Sequence, residues 1–160
     1  MKIIKKILFI ILLFLVSFCI YFTVSGYKMY KDAIDKTPLS EKVEEIQNKE
    51  NYTKITDMPK IYLDAVISVE DHKFYKHHGV SVTSIVRAFL HDIEAKAFLE
   101  GGSTITEQLS KNMYFTQEKD LKRKVAEVFV TLDLEKNYTK NEIFELYLNI
   151  SSSSFPFSII

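Results

Sequence analysis

Cysteine is nearly absent. Cys19 is the single one in 160 residues, so no disulfide can close within the chain. It lies inside an apolar run, where a lone thiol reads as a small buried hydrophobe. A lipoprotein site would want small residues just before the cysteine, and Phe18 stands there instead. Glycine and proline are scarce too, at 4 and 3. So few turn formers, beside many Leu, Ile, Glu and Lys, argue against a sandwich or barrel and for a mostly α protein. An excess of either charge is also missing: Lys plus Arg and Asp plus Glu are 21 each. Bulk electrostatics therefore gives no reason to expect a nucleic acid as partner. The length fits one domain.

Charge is absent altogether from residues 7–27. As a helix this run spans about 30 Å, the thickness of a bilayer core. Lys2, Lys5 and Lys6 precede it, which by the positive-inside rule keeps the N-terminus in the cytoplasm and the remainder outside. Tyr21, Tyr27 and Tyr30 lie toward the far end, where amphipathic rings favour the interface. A cleavable signal peptide is the rival reading, but it wants a shorter apolar core and a small-x-small site, which Ser25-Gly26 matches poorly. A buried core helix is the third, and a run apolar on every face speaks against it. Residues 1–27 are therefore expected to form a cytoplasmic tip and a single-pass anchor.

Residues 28–54 are polar and read as a juxtamembrane stalk with no chemistry assigned. Asp57-Met58-Pro59 reads as a helix start, with Asp57 capping. Ile61, Ala65 and Val69 then share one helical stripe, Val66 lies beside it, and Glu70-Asp71 ends it. Further helices are expected over residues 82–98, from Ser103 or Thr104 onward, over 121–137, and from Thr139 onward. Thr104 to Glu107 and Thr139 to Glu142 both fit a capping box. Val125, Val128, Phe129 and Leu132 are expected to point inward from the 121–137 helix. No stretch alternates convincingly at period two, and there is no internal repeat.

Three segments crowd polar residues against helix ends. In the first, Glu70 closes an apolar helix. It is either a carboxylate at the lip of a pocket, raised in pKa and useful as a base, or a solvated helix terminus. His77-His78 is a weak metal signal without a distant partner, and structural hydrogen bonding is the plainer reading. In the second, Gly101-Gly102 is followed by Ser103, Thr104 and a helix N-terminus, with Gln108, Lys111 and Asn112 farther along. It is either an anion cradle or a well-capped helix after a glycine turn. In the third, Arg123 and Glu127 share a helix face at i, i+4. They are either a surface ion pair or a guanidinium set for phosphate beside a second carboxylate. Two carboxylates and a phosphate cradle suit sugar transfer from a diphosphate donor.

In this order and spacing the segments resemble the peptidoglycan glycosyltransferase family. That family includes the N-terminal modules of bifunctional penicillin-binding proteins and the monofunctional transglycosylases. The resemblance rests on Glu70, Asp71, Phe74, His77 and Gly79, on the run from Gly101 to Asn112, and on Arg123, Lys124 and Glu127. It continues through Tyr138-Thr139-Lys140 to Glu145-Leu146-Tyr147-Leu148-Asn149, covering residues 55–150. It implies a mostly α, lysozyme-like glycosyltransferase domain on the outer face of the membrane. It also implies lipid II and the growing glycan chain as substrates and an inverting transfer from a lipid-diphosphate donor that makes β-1,4 glycan strands, with other cell-wall synthesis proteins as candidate partners. Glu70 would be the general base. Glu127 would be the second glutamate, near the donor diphosphate and a divalent cation such as magnesium or manganese. Ser103, Thr104, Gln108, Lys111, Asn112 and Arg123 would bind substrate.

Two departures stand out. Glu107 occupies a position that is usually Gln in the family pattern. After Ile150 the chain runs into four serines and Phe155-Pro156-Phe157, where the family continues with an aromatic and Gly-rich segment. Residues 151–160 thus read as an atypical tail, a truncation or out-of-frame end whose missing helices would leave apolar faces bare. Two other functions compete with the transferase: an inactive membrane remnant, and a lysozyme-like glycan hydrolase using Glu70 as an acid.

Overall fold

The computed structural model describes residues 2–81, 102–116 and 120–151. Among them are α1 (Lys2–Lys36), α2 (Leu39–Gln47), α3 (Lys60–Glu70), α4 (Ile105–Tyr114), α5 (Leu121–Asn137) and α6 (Lys140–Ser151). Short 3₁₀ turns lie at Ile55–Asp57 and Phe74–Lys76. No strand occurs among the described residues, so the mostly α expectation holds. The helix expected over 82–98 and the tail 152–160 lie outside the described residues.

α1 outruns the apolar stretch that seeds it. Its 35 residues reach about 52 Å at about 1.5 Å each. Among the described residues it is the one helix long and apolar enough to cross a membrane, and its most apolar 18-residue stretch has a mean hydropathy of 2.9. Its N-terminal two-thirds stand clear of the fold, and Cys19 is exposed there rather than buried. Beyond Tyr21 it docks on α5. A Cβ at Gly26 would lie 2.6 Å from Val125 Cβ and 2.9 Å from the Lys122 carbonyl oxygen, so only glycine lets the two helices come this close. Tyr27 and Tyr30 pack on the Phe129 ring at centroid distances of 5.2 and 5.6 Å. The Tyr30 hydroxyl donates to Asp133 at 2.5 Å, and the Lys122 ammonium lies 5.2 Å from the centre of the Tyr21 ring. Position advances in the same direction along both helices, so α5 runs parallel to the last turns of α1.

The core lies where α4, α5 and α6 meet. Ile105, Leu109, Val130, Leu134, Ile143 and Phe144 are fully buried there. The polar stretch after the anchor contributes too: Val43 and Ile46 of α2 are buried in the same cluster. Two side chains of α6 then fasten the segment before α3. The Asn149 amide accepts from the Thr53 N–H at 2.8 Å and donates to the Thr53 carbonyl at 2.9 Å. Glu145 accepts from the Ile55 N–H at 2.7 Å and from the Tyr52 hydroxyl. Burial, followed by that bond, pushes the Tyr52 hydroxyl well above its ordinary pKa.

Three local expectations are corrected. Asp57 sits in a 3₁₀ turn, and Pro59 holds the N-cap of α3 without a side-chain bond. On α3 the stripe of Ile61, Ala65 and Val69 faces outward, with Ile61 and Val69 each 81 % exposed. Tyr62, Leu63, Val66 and Ile67 pack inward instead. Both faces of this helix are apolar, so hydrophobicity alone does not set its rotation. On α5, Leu132 is exposed, and Val125 and Phe129 face α1 rather than the core. Ala126, Val130 and Leu134 take the core side, together with the polar Glu127 and Thr131.

Gly26→Val should force α1 away from α5 and cost about 1–3 kcal/mol, as overpacking does. Thermal unfolding in detergent would read this, and Val125→Ala in the same chain should recover part of the loss. An unchanged midpoint would show that α1 is not docked at Gly26.

Candidate active site

The two candidate glutamates have opposite settings. Glu70 is exposed at the end of α3, and its carboxylate accepts from Gln108 Nε2 at 2.9 Å. Gln108 Oε1 accepts from the Tyr147 hydroxyl at 3.3 Å, which turns the amide's NH₂ toward Glu70. Asp71, the next residue, is buried. Its Oδ2 accepts from the backbone N–H of Ile105 at 3.2 Å and lies 2.8 Å from His77 Nε2. The carboxylate thus serves the positive end of α4, and His77 has the structural hydrogen bond expected of it. Phe74 is fully buried, with its ring centre 5.7 Å from that of Phe144. Gly79 has φ +88°, and a Cβ there would meet Thr131 Cγ2 at 2.7 Å. The first segment is therefore built to hold the end of α3 against the start of α4.

Thr104 caps α4, and the capping box is complete. Its Oγ1 accepts from the Glu107 N–H at 3.1 Å, and Glu107 Oε2 accepts from the Thr104 N–H at 2.9 Å. The Thr104 hydroxyl donates to the Gly79 carbonyl at 2.5 Å. Its proton and one acceptor lone pair are thus engaged within the fold. Lys111 and Asn112 lie half-buried farther along α4. Gly101 is outside the described residues, and Gly102 is half-buried before the start of α4.

The third segment is no surface ion pair. Glu127 pairs with Arg123 along α5, and their side chains are 1 % and 13 % exposed. Lys124 joins them. Its Nζ lies 3.3 Å from Glu127 Oε2 and 3.5 Å from Glu107 Oε1, and donates to Ser103 Oγ at 2.8 Å. Two carboxylates meet two cations, so the cluster is neutral in sum. Lys124 and Glu107 were not among the candidate site residues. The signal available for Lys124 was its i, i+3 spacing to Glu127; its reach across to α4 had no local signature.

α4 is thus the common member. Glu70 is tied to it through Gln108, and the Arg123–Lys124–Glu127 cluster through Ser103 and Glu107. One carboxylate is open to solvent, and the other is fixed among cations. No three of His, Cys, Asp or Glu gather as a metal shell among the described residues, and Glu127 is already matched by two cations. That donor set does not fit a divalent cation held by the protein alone.

The Transglycosylase family model matches residues 36–154. This chain belongs to the transglycosylase family. Penicillin-binding protein 1A/1B of Bacillus subtilis is 38 % identical over 160 residues, covering 91 % of this chain and 18 % of that protein. Penicillin-binding protein 1F of the same organism is 46 % identical over 95 residues, 59 % of this chain and 13 % of that one. The monofunctional glycosyltransferase of Staphylococcus epidermidis is 41 % identical over 104 residues, 65 % of this chain and 38 % of that one. The chain spans less than two fifths of the length of each. The transglycosylase match begins in the last turn of α1 and takes in all the described helices after it.

The contrast between the two glutamates is measurable without substrate. Glu127→Ala removes a buried carboxylate from beside Arg123 and Lys124 and should cost about 3–5 kcal/mol. Glu70→Ala, at an exposed helix end, should stay within about 0.5 kcal/mol. Equal losses in denaturant unfolding would show that the two settings are not different.

Proposed function

We propose that this chain is the transglycosylase module of a peptidoglycan polymerase, polymerising lipid II into β-1,4 glycan strands by inverting transfer from a lipid-diphosphate donor. One observation carries the reading: α4 joins an exposed, oriented carboxylate, Glu70, to a buried cluster of Arg123, Lys124 and Glu127. The relatives' names, penicillin-binding protein and monofunctional glycosyltransferase, support it.

In this reading Glu70 takes the proton of the acceptor sugar's 4-hydroxyl. The freed oxygen attacks the anomeric carbon of the donor, and the bond from that carbon to the diphosphate breaks on the opposite face, inverting the configuration. Arg123, Lys124 and Lys111 stabilise the charge that develops on the leaving diphosphate. Glu127 holds Arg123 and Lys124 in place. Ser103, Gln108 and Asn112 supply polar contacts to the substrate, and Thr104 shapes the start of α4. A magnesium or manganese ion bound with the donor diphosphate would supply further positive charge to the leaving group. α1 crosses the membrane with Lys2, Lys5 and Lys6 in the cytoplasm, and residues 31–160 stand outside, beside the other cell-wall synthesis proteins.

Two tests follow. Glu70→Gln keeps the shape and removes the base, so polymerisation of lipid II should fall about 10²–10⁴-fold while lipid II binding is largely kept. Activity within a few-fold of the parent would remove Glu70 from the role, and cutting of finished glycan strands would favour a hydrolase. Protease added to intact protoplasts should digest the part after α1, and protection would reverse the topology.

A further inference from the structure

Glu107 is the one charge of the cluster that the mechanism does not use. It is 2 % exposed, deep enough that a carboxylate needs partners. One oxygen serves the capping box through the Thr104 N–H at 2.9 Å. The other lies 3.5 Å from Lys124 Nζ, on a different helix. The same ammonium is 3.3 Å from Glu127 and 2.8 Å from Ser103. Lys124 is therefore shared by two buried carboxylates while its own side chain remains 41 % exposed.

A capping box needs only a hydrogen-bond acceptor at this position, and Gln serves as well as Glu. A full negative charge is more than the cap requires. It acts on Lys124, drawing the ammonium toward the start of α4 and offsetting part of the field that an incoming anion would feel.

We propose that Glu107 is a positioning residue that acts through Lys124, a charge counterweight that holds the ammonium between α4 and α5 and lowers the site's affinity for a diphosphate. The counterweight itself is a property of the protein without ligand; its effect on diphosphate affinity rests on the function proposed above. For a polymerase that must release a diphosphate after every transfer, a restrained affinity favours turnover.

Glu107→Gln in the full chain in detergent tests this, because it keeps the cap and removes the charge. Its unfolding midpoint should stay within about 2 °C of the parent, whereas Glu107→Ala should lose stability. Labelling of the Lys124 amine by an N-hydroxysuccinimide ester, read by mass spectrometry, should speed up about threefold or more in Glu107→Gln as the ammonium is released. Inorganic pyrophosphate should bind about three- to tenfold more tightly, and in turnover KM for lipid II should fall with kcat. In a Lys124→Gln background the gain in pyrophosphate affinity should shrink to within about twofold. Unchanged labelling in a folded Glu107→Gln chain would overturn the proposal, as would a gain that persists without Lys124. Faster labelling in Glu107→Gln, with a parent that binds neither pyrophosphate nor lipid II, would sustain the counterweight and overturn the diphosphate reading.

Discussion

A carboxylate withdrawn from water as far as that of Glu127 is tolerable only among cations, and the arrangement of the site follows from meeting that need. Arg123 and Lys124 come from the preceding turn of the same helix. Lys124 in turn faces Glu107, which is also buried and belongs to the cap of α4. That cap is fixed by Thr104, whose hydroxyl is tied to the backbone at Gly79, where φ is positive. Asp71 closes the circuit by binding the start of α4, and its neighbour in sequence is Glu70. The exposed carboxylate is thus held in place by the same contacts that match the buried one.

The seam between α4 and α5 is polar along much of its length. Ser110 and Thr131 share a hydrogen bond at 2.8 Å with both side chains fully buried, and Thr106 donates to Glu135 at 2.6 Å. This explains what could be read from the sequence and what could not. The limits of α5 and both capping boxes follow from local chemistry, and they were legible: the expected helix over 121–137 coincides with α5, and Thr104 with Glu107 and Thr139 with Glu142 bond as expected. Helix rotation depends on partners far away in sequence. On α5 the apolar side chains Val125 and Phe129 serve α1, while polar ones serve α4, so a hydrophobic stripe points the wrong way. On α3 two apolar faces compete, and only the fold decides between them.

Of the site, the segments containing Glu70, Thr104 and Arg123 were legible as motifs, because each sits at a helix end where polar residues cluster. Which of them would be buried was not. Arg123 and Glu127 at i, i+4 are as compatible with a solvated face as with a buried pair, and the deciding contact comes from Lys124 and its partners on α4. The docking of α1 was equally hidden. Gly26 read as a weak small-residue signal, yet its lack of a side chain lets α5 approach, which fixes the cluster-bearing helix against the helix that is apolar enough to span a membrane.

The central claim is that a lipid-linked diphosphate sits against the start of α4 and the Arg123–Lys124–Glu127 turn of α5. A lipid-linked diphosphate sugar carrying a photoreactive group next to the diphosphate would test it most directly, with crosslinked peptides identified by mass spectrometry. Crosslinks concentrated in residues 103–112 and 123–127, and displaced by unlabelled lipid II, are the predicted result. Crosslinks concentrated on α2 or on the outward face of α3, or not displaced by lipid II, would contradict it.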